Sequence, residues 1–355
     1  MSLSLCVFAV SCVQKNESEK ILSFERNLVN TKDPELVCIL SEDGVLLKNI
    51  TDFTILSDTS FVVLDRQGVY LYHISGTFIK QFGNSGRAAG EMITPTFVHA
   101  TDNFVYIWCA SLMKFLIFDH EANLINELSG FKRAVKKFVV NSSDEVLYIY
   151  TSGFFNESQN KMTDVIDVYR INDKLSVKYG ERDPEDEILS TYSNSGGLFV
   201  DTEQLVYIHP GNLIIYQLDL NSSKTIKYKI DDRAFHRGEI TSNIRDVMDN
   251  RQKLSDYLRK SSFVRGLYQD NNQIIIISQI GQSDFNEQTR LVNNQNRKVK
   301  LYILDSSFKP NCSILFDYIN SPNIVIYSNS LYFISTIINE NDQTISLNRF
   351  SLSKM

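Results

Sequence analysis

The chain has 355 residues, of which 43% are hydrophobic and 22% charged, a balance that suits a soluble globular fold with a full core. A net charge of −6 excludes the basic footprint that nucleic-acid binding requires. The 17 Tyr and 22 Phe, beside only 6 Pro, tilt the composition toward strands.

The N-terminal run LSLCVFAVSC ends in Ala9-Val10-Ser11-Cys12 and gives way at once to polar VQKNESEK. It is too short to span a bilayer. Small residues before a cysteine at the end of an apolar run resemble the lipobox of bacterial lipoproteins. That resemblance implies a leader and tether over residues 1–19, cleavage before Cys12 and a lipid on its sulfur. It also implies a place at the cell envelope, on the periplasmic or surface side of the outer membrane, with membrane contact through the lipid alone. The other reading is a plain hydrophobic N-terminus, because no Lys or Arg precedes the run and Ala9 stands where lipoboxes prefer Leu. With Cys6 and Cys12 assigned to the leader, Cys38, Cys109 and Cys312 remain. They are odd in number and lack C-x-x-C spacing, so they read as buried thiols rather than as disulfides or a zinc site.

Residues 20–355 carry a repeat. The stretch FVVLDRQGVYLYHISGTFIKQFG (61–83) is echoed at 104–130, and more weakly at 146–180, 205–230, 274–316 and 331–355. Each unit ends as strand, short polar turn, strand, the pattern of a hairpin. Tyr72, Phe118, Tyr169 and Tyr216 hold comparable places at separations of 46, 51 and 47, and Tyr302 follows after 86. Units of forty to fifty residues, each of about four strands, predict an all-β propeller. One four-stranded sheet cannot bury both faces, whereas radial stacking can. Six units predict six blades in one domain; a seventh arises if 20–50 forms a blade rather than a closing strand.

Between the first two units lies GNSGRAAGEM (83–92). A phosphate cradle needs a helix after its glycines, but ITPTFVHA follows, with Pro95 and β-branched residues. The stretch therefore predicts an inter-blade turn in which Gly83, Gly86 and Gly90 supply the backbone freedom and Glu91 accepts backbone N–H groups. A strand ending GTFIKQFG, then Gly-x-x-Gly-x-x-x-Gly-Glu, then a strand, resembles a six-bladed propeller family of Gram-negative lipoproteins and, more distantly, NHL repeats. In those linkers Gly-Pro is usual where this chain has Ala88-Ala89. The resemblance implies a six-bladed fold and an envelope location, without an activity.

Further along, TSGFFNESQNKM (151–162) sets Phe154 and Phe155 in a polar loop, where they either grip a ligand or fold under as a small satellite core. Apolar residues Ile240, Ile244, Val247, Met248, Leu254 and Leu258 fall at helical spacing. They predict one amphipathic insertion over about 233–262, between blades 4 and 5, capped by Thr241 or Ser242. It packs on the propeller or lies across the channel as a lid. Residues 283–298 read as a long solvated hairpin.

The five histidines, 73, 99, 120, 209 and 236, are isolated, without His-Glu-x-x-His, and no Gly-x-Ser-x-Gly elbow is written. Asp65, Asp119, Asp201, Asp219 and Asp305 fall in turns, where Asx hydrogen bonding accounts for them. The expectation is a non-catalytic monomer that recognises a protein or glycan ligand or serves as a scaffold, without a cofactor. The alternative is a metal-dependent hydrolase of the lactonase type, with Ca2+ in the central channel on oxygen ligands from several inner strands. Asn141 and Asp201 stand at two inner-strand ends.

Overall fold

The computed structural model describes residues 18–352 apart from 31, 41–46, 142–144, 157, 159, 173, 194–195, 241–243, 283–297, 317–318, 320, 322 and 340–341. Its strands form six sheets of four or five strands and one two-stranded fragment. Blade 1 comprises Ile50–Ser57, Ser60–Asp65, Gly68–His73 and Phe78–Phe82, each antiparallel to the next. Blade 2 runs from Pro95–Ala100 to Leu124–Leu128, and blade 3 from Val135–Asn141 to Leu175–Arg182. Blade 4 runs from Gly197–Asp201 to Thr225–Ile230, and blade 5 from Phe263–Asp270 to Pro310–Phe316. Blade 6 holds Ile324–Tyr327, Ser330–Asn339 and Asp342–Ser351. First strands touch first strands all the way round, including blade 6 to blade 1, so the ring is closed and these strands face its axis.

The fourth strand of blade 6 comes from the other end of the chain. Glu35–Ile39 runs antiparallel to Asp342–Ser351, with Cys38 opposite Leu347. Residues 20–50 therefore close the ring and make no seventh blade. Upstream, Ser18–Leu22 lies parallel along the outer edge of blade 4, and Asn27–Asn30 along that of blade 5. Every sheet edge these strands cover is an edge denied to another chain.

Each blade has a neighbour on both faces. Second strands consequently read as nearly unbroken apolar runs (FVYIWC, VLYIYT, IIIISQ) instead of alternating, and all but their end residues are buried. The core is six separate clusters, one between each pair of adjacent blades. In the one between blades 2 and 3, Trp108 packs on Phe115 at 4.7 Å and Phe115 on Phe138 at 4.9 Å. Cys38 and Cys109 are buried free thiols, and Cys312 is half-buried. Burial pushes the first up to about 11 and the second to about 12.

Helices occupy two inter-blade links. Between blades 3 and 4, α1 (Glu185–Ser193) starts after Pro184 with Glu185, Asp186 and Glu187 in its first turn, a favoured N-terminal composition. Between blades 4 and 5, the single helix expected over 233–262 is two: α2 (Ile244–Asp249) and α3 (Arg251–Lys260). Asn250 divides them, since its backbone is extended and its Oδ1 accepts the N–H groups of Gln252 and Lys253 at 3.0 and 3.1 Å. The apolar stripe of α2 and α3, with Val247 and Tyr257 buried, packs against Ile188 and Leu189 of α1 and Phe263 of blade 5. Among the described residues no helix is long and apolar enough to cross a membrane. The leader with Cys12, the caps Thr241 and Ser242, and most of 283–298 lie outside the described residues.

Candidate functional site

The first strands of the six blades enclose a cavity of about 730 Å³. Its lining includes Leu56, Asp102, Asn141, Thr202, Gln269 and Tyr327, at the ends of these strands, so its mouth lies at the turns joining first to second strands. The links from fourth strands to the next blade, with α1, α2 and α3, lie at the opposite end. The wall offers polar and apolar surface in near-equal measure, with Asp52, His99 and Lys137 set within its strands and Asp102 and Asp201 at the mouth.

Asp52 of blade 1 is buried and accepts the Val98 N–H of blade 2 at 3.0 Å. Burial pushes its carboxyl up from the usual range, and the Lys137 charge opposes that shift. Lys137 of blade 3 lines the cavity, with its ammonium 5.5 Å from the Phe97 ring centroid. Enclosure within the ring pulls its pKa down, Asp52 raises it, and Arg265 of blade 5 lowers it further. Arg265 donates to the Ser321 carbonyl at 2.5 Å, and the Tyr268 hydroxyl donates to the Ile324 carbonyl at 2.5 Å. These bonds fix both side chains to the link and first strand of blade 6.

His99 of blade 2 also lines the cavity, with its ring 6.0 Å from that of Phe138. Burial lowers its pKa to about 4, so it is neutral at physiological pH. A catalytic histidine is normally oriented by a carboxylate or carbonyl on its second nitrogen. Among the described residues the ring nitrogens of His99 have no such partner. At the mouth, Asp201 accepts from Gln269 Nε2 at 3.1 Å. Asn141 and Asp201, singled out as inner-strand ends, both line the cavity. Among the described residues no three His, Cys, Asp or Glu side chains gather as a metal-holding group.

The residues predicted from local motifs lie elsewhere. Gly83 and Gly90 have φ of 57° and 74°, and Glu91 Oε2 accepts the Ala88 N–H at 2.8 Å. A Cβ on Gly86 would come 2.0 Å from that Oε2 atom, so the glycine makes room for the carboxylate. Phe154 and Phe155 sit on a short strand, Phe154–Asn156, that extends blade 3, each 52% exposed. Arg133 lies 4.8 Å and Lys178 5.7 Å from the Phe154 ring. The channel does not gather these residues. What it gathers is Asp52, His99, Lys137 and Tyr268, with Arg265 close behind, all absent from the motif reading. The available signal was a polar side chain inside an apolar inner strand: ITDFTILS, PTFVHA, VKKFVVN and FVRGLYQD.

No family model matches the chain, and no curated protein matches it. Among solved structures, a protein of Bacteroides fragilis described as exported is 13% identical, with a TM-score of 0.59 over 94% of this chain and 99% of its own. A member of the DUF4221 family from Bacteroides vulgatus is 8% identical, with a TM-score of 0.62 over 90% of this chain and 96% of its own. At these identities the likeness is one of fold, and this chain shares its six-bladed propeller with structures from Bacteroides.

Proposed function

We propose that this chain is an exported, envelope-associated recognition protein that binds a small ligand non-catalytically in its central channel and is tethered by a lipid on Cys12. The observation that carries the reading is the cavity itself, about 730 Å³ and framed by all six first strands. That volume falls in the range of small-molecule sites, which are mostly apolar with a few placed polar groups. Three of the polar side chains in and beside the channel, Asp52, Arg265 and Tyr268, are tied to backbone by hydrogen bonds, which suits a rigid receptor. Export draws support from the leader-like run ending at Cys12 and from the exported Bacteroides fragilis neighbour.

The test uses Thr54, which lines the channel. In Thr54→Trp the indole replaces a small side chain on the wall and takes up part of the cavity. Saturation-transfer NMR with a mixed library of neutral, cationic and anionic compounds is expected to give wild-type hits that the variant loses. Hits indifferent to the plug, or no hits, overturn the channel reading. The tether is tested separately: Cys12→Ser leaves the membrane fraction if the lipid is real, and an unchanged fraction and mass remove the tether from the proposal.

A further inference from the structure

We infer that the channel takes a small organic monocation, its ammonium held at the acidic mouth and its apolar body within; the inference rests on the recognition reading and deepens it. The six links from first to second strands surround the mouth, and in sequence none of them holds a Lys or Arg. These links and the strand residues beside them carry Asp58, Asp102, Glu145, Asp201, Glu203 and Asp270. Lys174, Lys224 and Lys309 of the same end stand on links between third and fourth strands, farther from the axis. A cleft ringed by one sign of charge focuses its field on entering ligands, and this one draws cations.

The cavity beneath makes this rim a site. Its lining carries Asp52, Asp102 and Asp201 against Lys137 alone. Asp52 and Lys137 offset each other, since each charge favours the ionised form of the other. Asp102 and Asp201 have no ion-pair partner among the described residues, and the Gln269 amide that donates to Asp201 is neutral. His99 is an independent sign of a ligand. It lines the cavity, walled in by the ring, and neither ring nitrogen has a hydrogen-bond partner among the described residues. Enclosed polar groups are seldom left so, and a ligand hydroxyl can pair with either nitrogen. A metal ion alone leaves most of about 730 Å³ unfilled, and the half-buried Leu56, Val139, Val325 and Tyr327 offer apolar surface to an organic body. Lys137 sets the polarity. It precedes Asn141, the last residue of its strand, by four positions, about 13 Å at the usual strand rise, so the ligand's charge stays at the mouth.

Calorimetric titration of the full chain with tyramine, neutral 4-ethylphenol, anionic 4-hydroxyphenylacetate and calcium tests this. Tyramine is expected to bind, about fivefold or more tighter than 4-ethylphenol, with 4-hydroxyphenylacetate weaker still. The double variant Asp102→Asn, Asp201→Asn should weaken tyramine about tenfold, of the order of two lost solvent-exposed ion pairs. Raising the salt should weaken tyramine in the wild type and change the double variant much less. Both aspartates are exposed, so the variant should fold, and circular dichroism guards against a folding defect posing as lost binding. Tyramine affinity unchanged in the double variant, equal binding of 4-ethylphenol or of the anion, or no binding of tyramine overturns the inference. Calcium binding that matches tyramine and is lost in the double variant overturns its organic half. If tyramine fails while other compounds still bind the wild type and are lost from Thr54→Trp, the monocation is wrong and the recognition reading stands.

Discussion

His209 gives the fold a calculable weakness to acid. It follows the second strand of blade 4 and is fully buried. Its Nε2 lies 2.9 Å from the Glu181 carbonyl, which can only accept, so Nε2 carries the proton. Nδ1 is left to accept from the Tyr150 hydroxyl at 2.9 Å, and that oxygen accepts from Arg182 Nη1 at 2.9 Å. A second proton on the ring would face a hydroxyl already oriented toward it and add charge beside Arg182. Burial first, and Arg182 next, hold the His209 pKa at about 3, against about 6.5 for a histidine in the unfolded chain. Because the folded value is the lower one, the unfolded state binds the proton more readily. The stability is fully present above about pH 6.5 and is lost as pH falls toward 3. Between pH 6.5 and 4 the loss is about 3 kcal/mol. The perturbation is His209→Gln, whose amide can donate to Glu181 and accept from Tyr150 without titrating. Urea unfolding at pH 7 should show the variant about 1 to 2 kcal/mol weaker, for imperfect packing and hydrogen bonding. At pH 4 the gap should close or reverse, because the wild type has fallen by about 3 kcal/mol more than the variant. His99, and Asp186, whose pKa burial raises to about 6, titrate in both proteins and largely cancel in the difference. An equal fall in both proteins refutes a histidine held neutral by this chain of hydrogen bonds.

Two further outcomes concern how the ring is built. A Cβ on Gly197 would come 2.4 Å from the Leu267 backbone nitrogen, so Gly197→Ala should force the first strands of blades 4 and 5 apart at about 1 to 3 kcal/mol. A melting temperature unchanged by this substitution contradicts the close approach. At the closure, Leu347 is fully buried opposite Cys38, and Leu347→Ala should cost about 2 to 5 kcal/mol. The Arg349–Glu35 pair on the same two strands is largely exposed, so Glu35→Gln should cost less than about 1 kcal/mol. Chemical denaturation of the two variants ranks them, and a closure resting on the ion pair would reverse the order.

The blade repeat could be read from the chain because it is imposed locally. Second strands face a neighbouring blade on both sides, so FVYIWC and the four isoleucines of IIIISQ had to be apolar. Tyr72, Phe118, Tyr169, Tyr216 and Tyr302 all fall on third strands, which is why their spacing tracked the blades. The peripheral elements gave fainter signals. Ser18–Leu22 and Asn27–Asn30 are short and mostly exposed, and their partners lie more than two hundred residues away. Such strands are selected by an available edge rather than by a pattern of their own. The amphipathic insertion showed its apolar spacing but not its break, because Asn250 acts as a cap only once the chain turns there. The start of α1 was written in Asp-Pro-Glu-Asp-Glu and could have been recognised.

The channel is a different kind of information. Gly83, Gly86, Gly90 and Glu91 solve a backbone problem within ten residues, so their spacing is visible in one window of sequence. Asp52, Lys137 and Arg265 stand 85 and 128 residues apart and share only a position within a strand. In an isolated blade each would be a half-exposed charge on an edge strand, with water as its partner and no consequence. Ring closure withdraws much of that water, which raises the Asp52 pKa and lowers that of Lys137, while the attraction between the two opposes both shifts. The chemistry of the channel is therefore a property of the closed ring. Within one repeat, a charged residue in an apolar first strand marks where to look, but it cannot say what the residue will face.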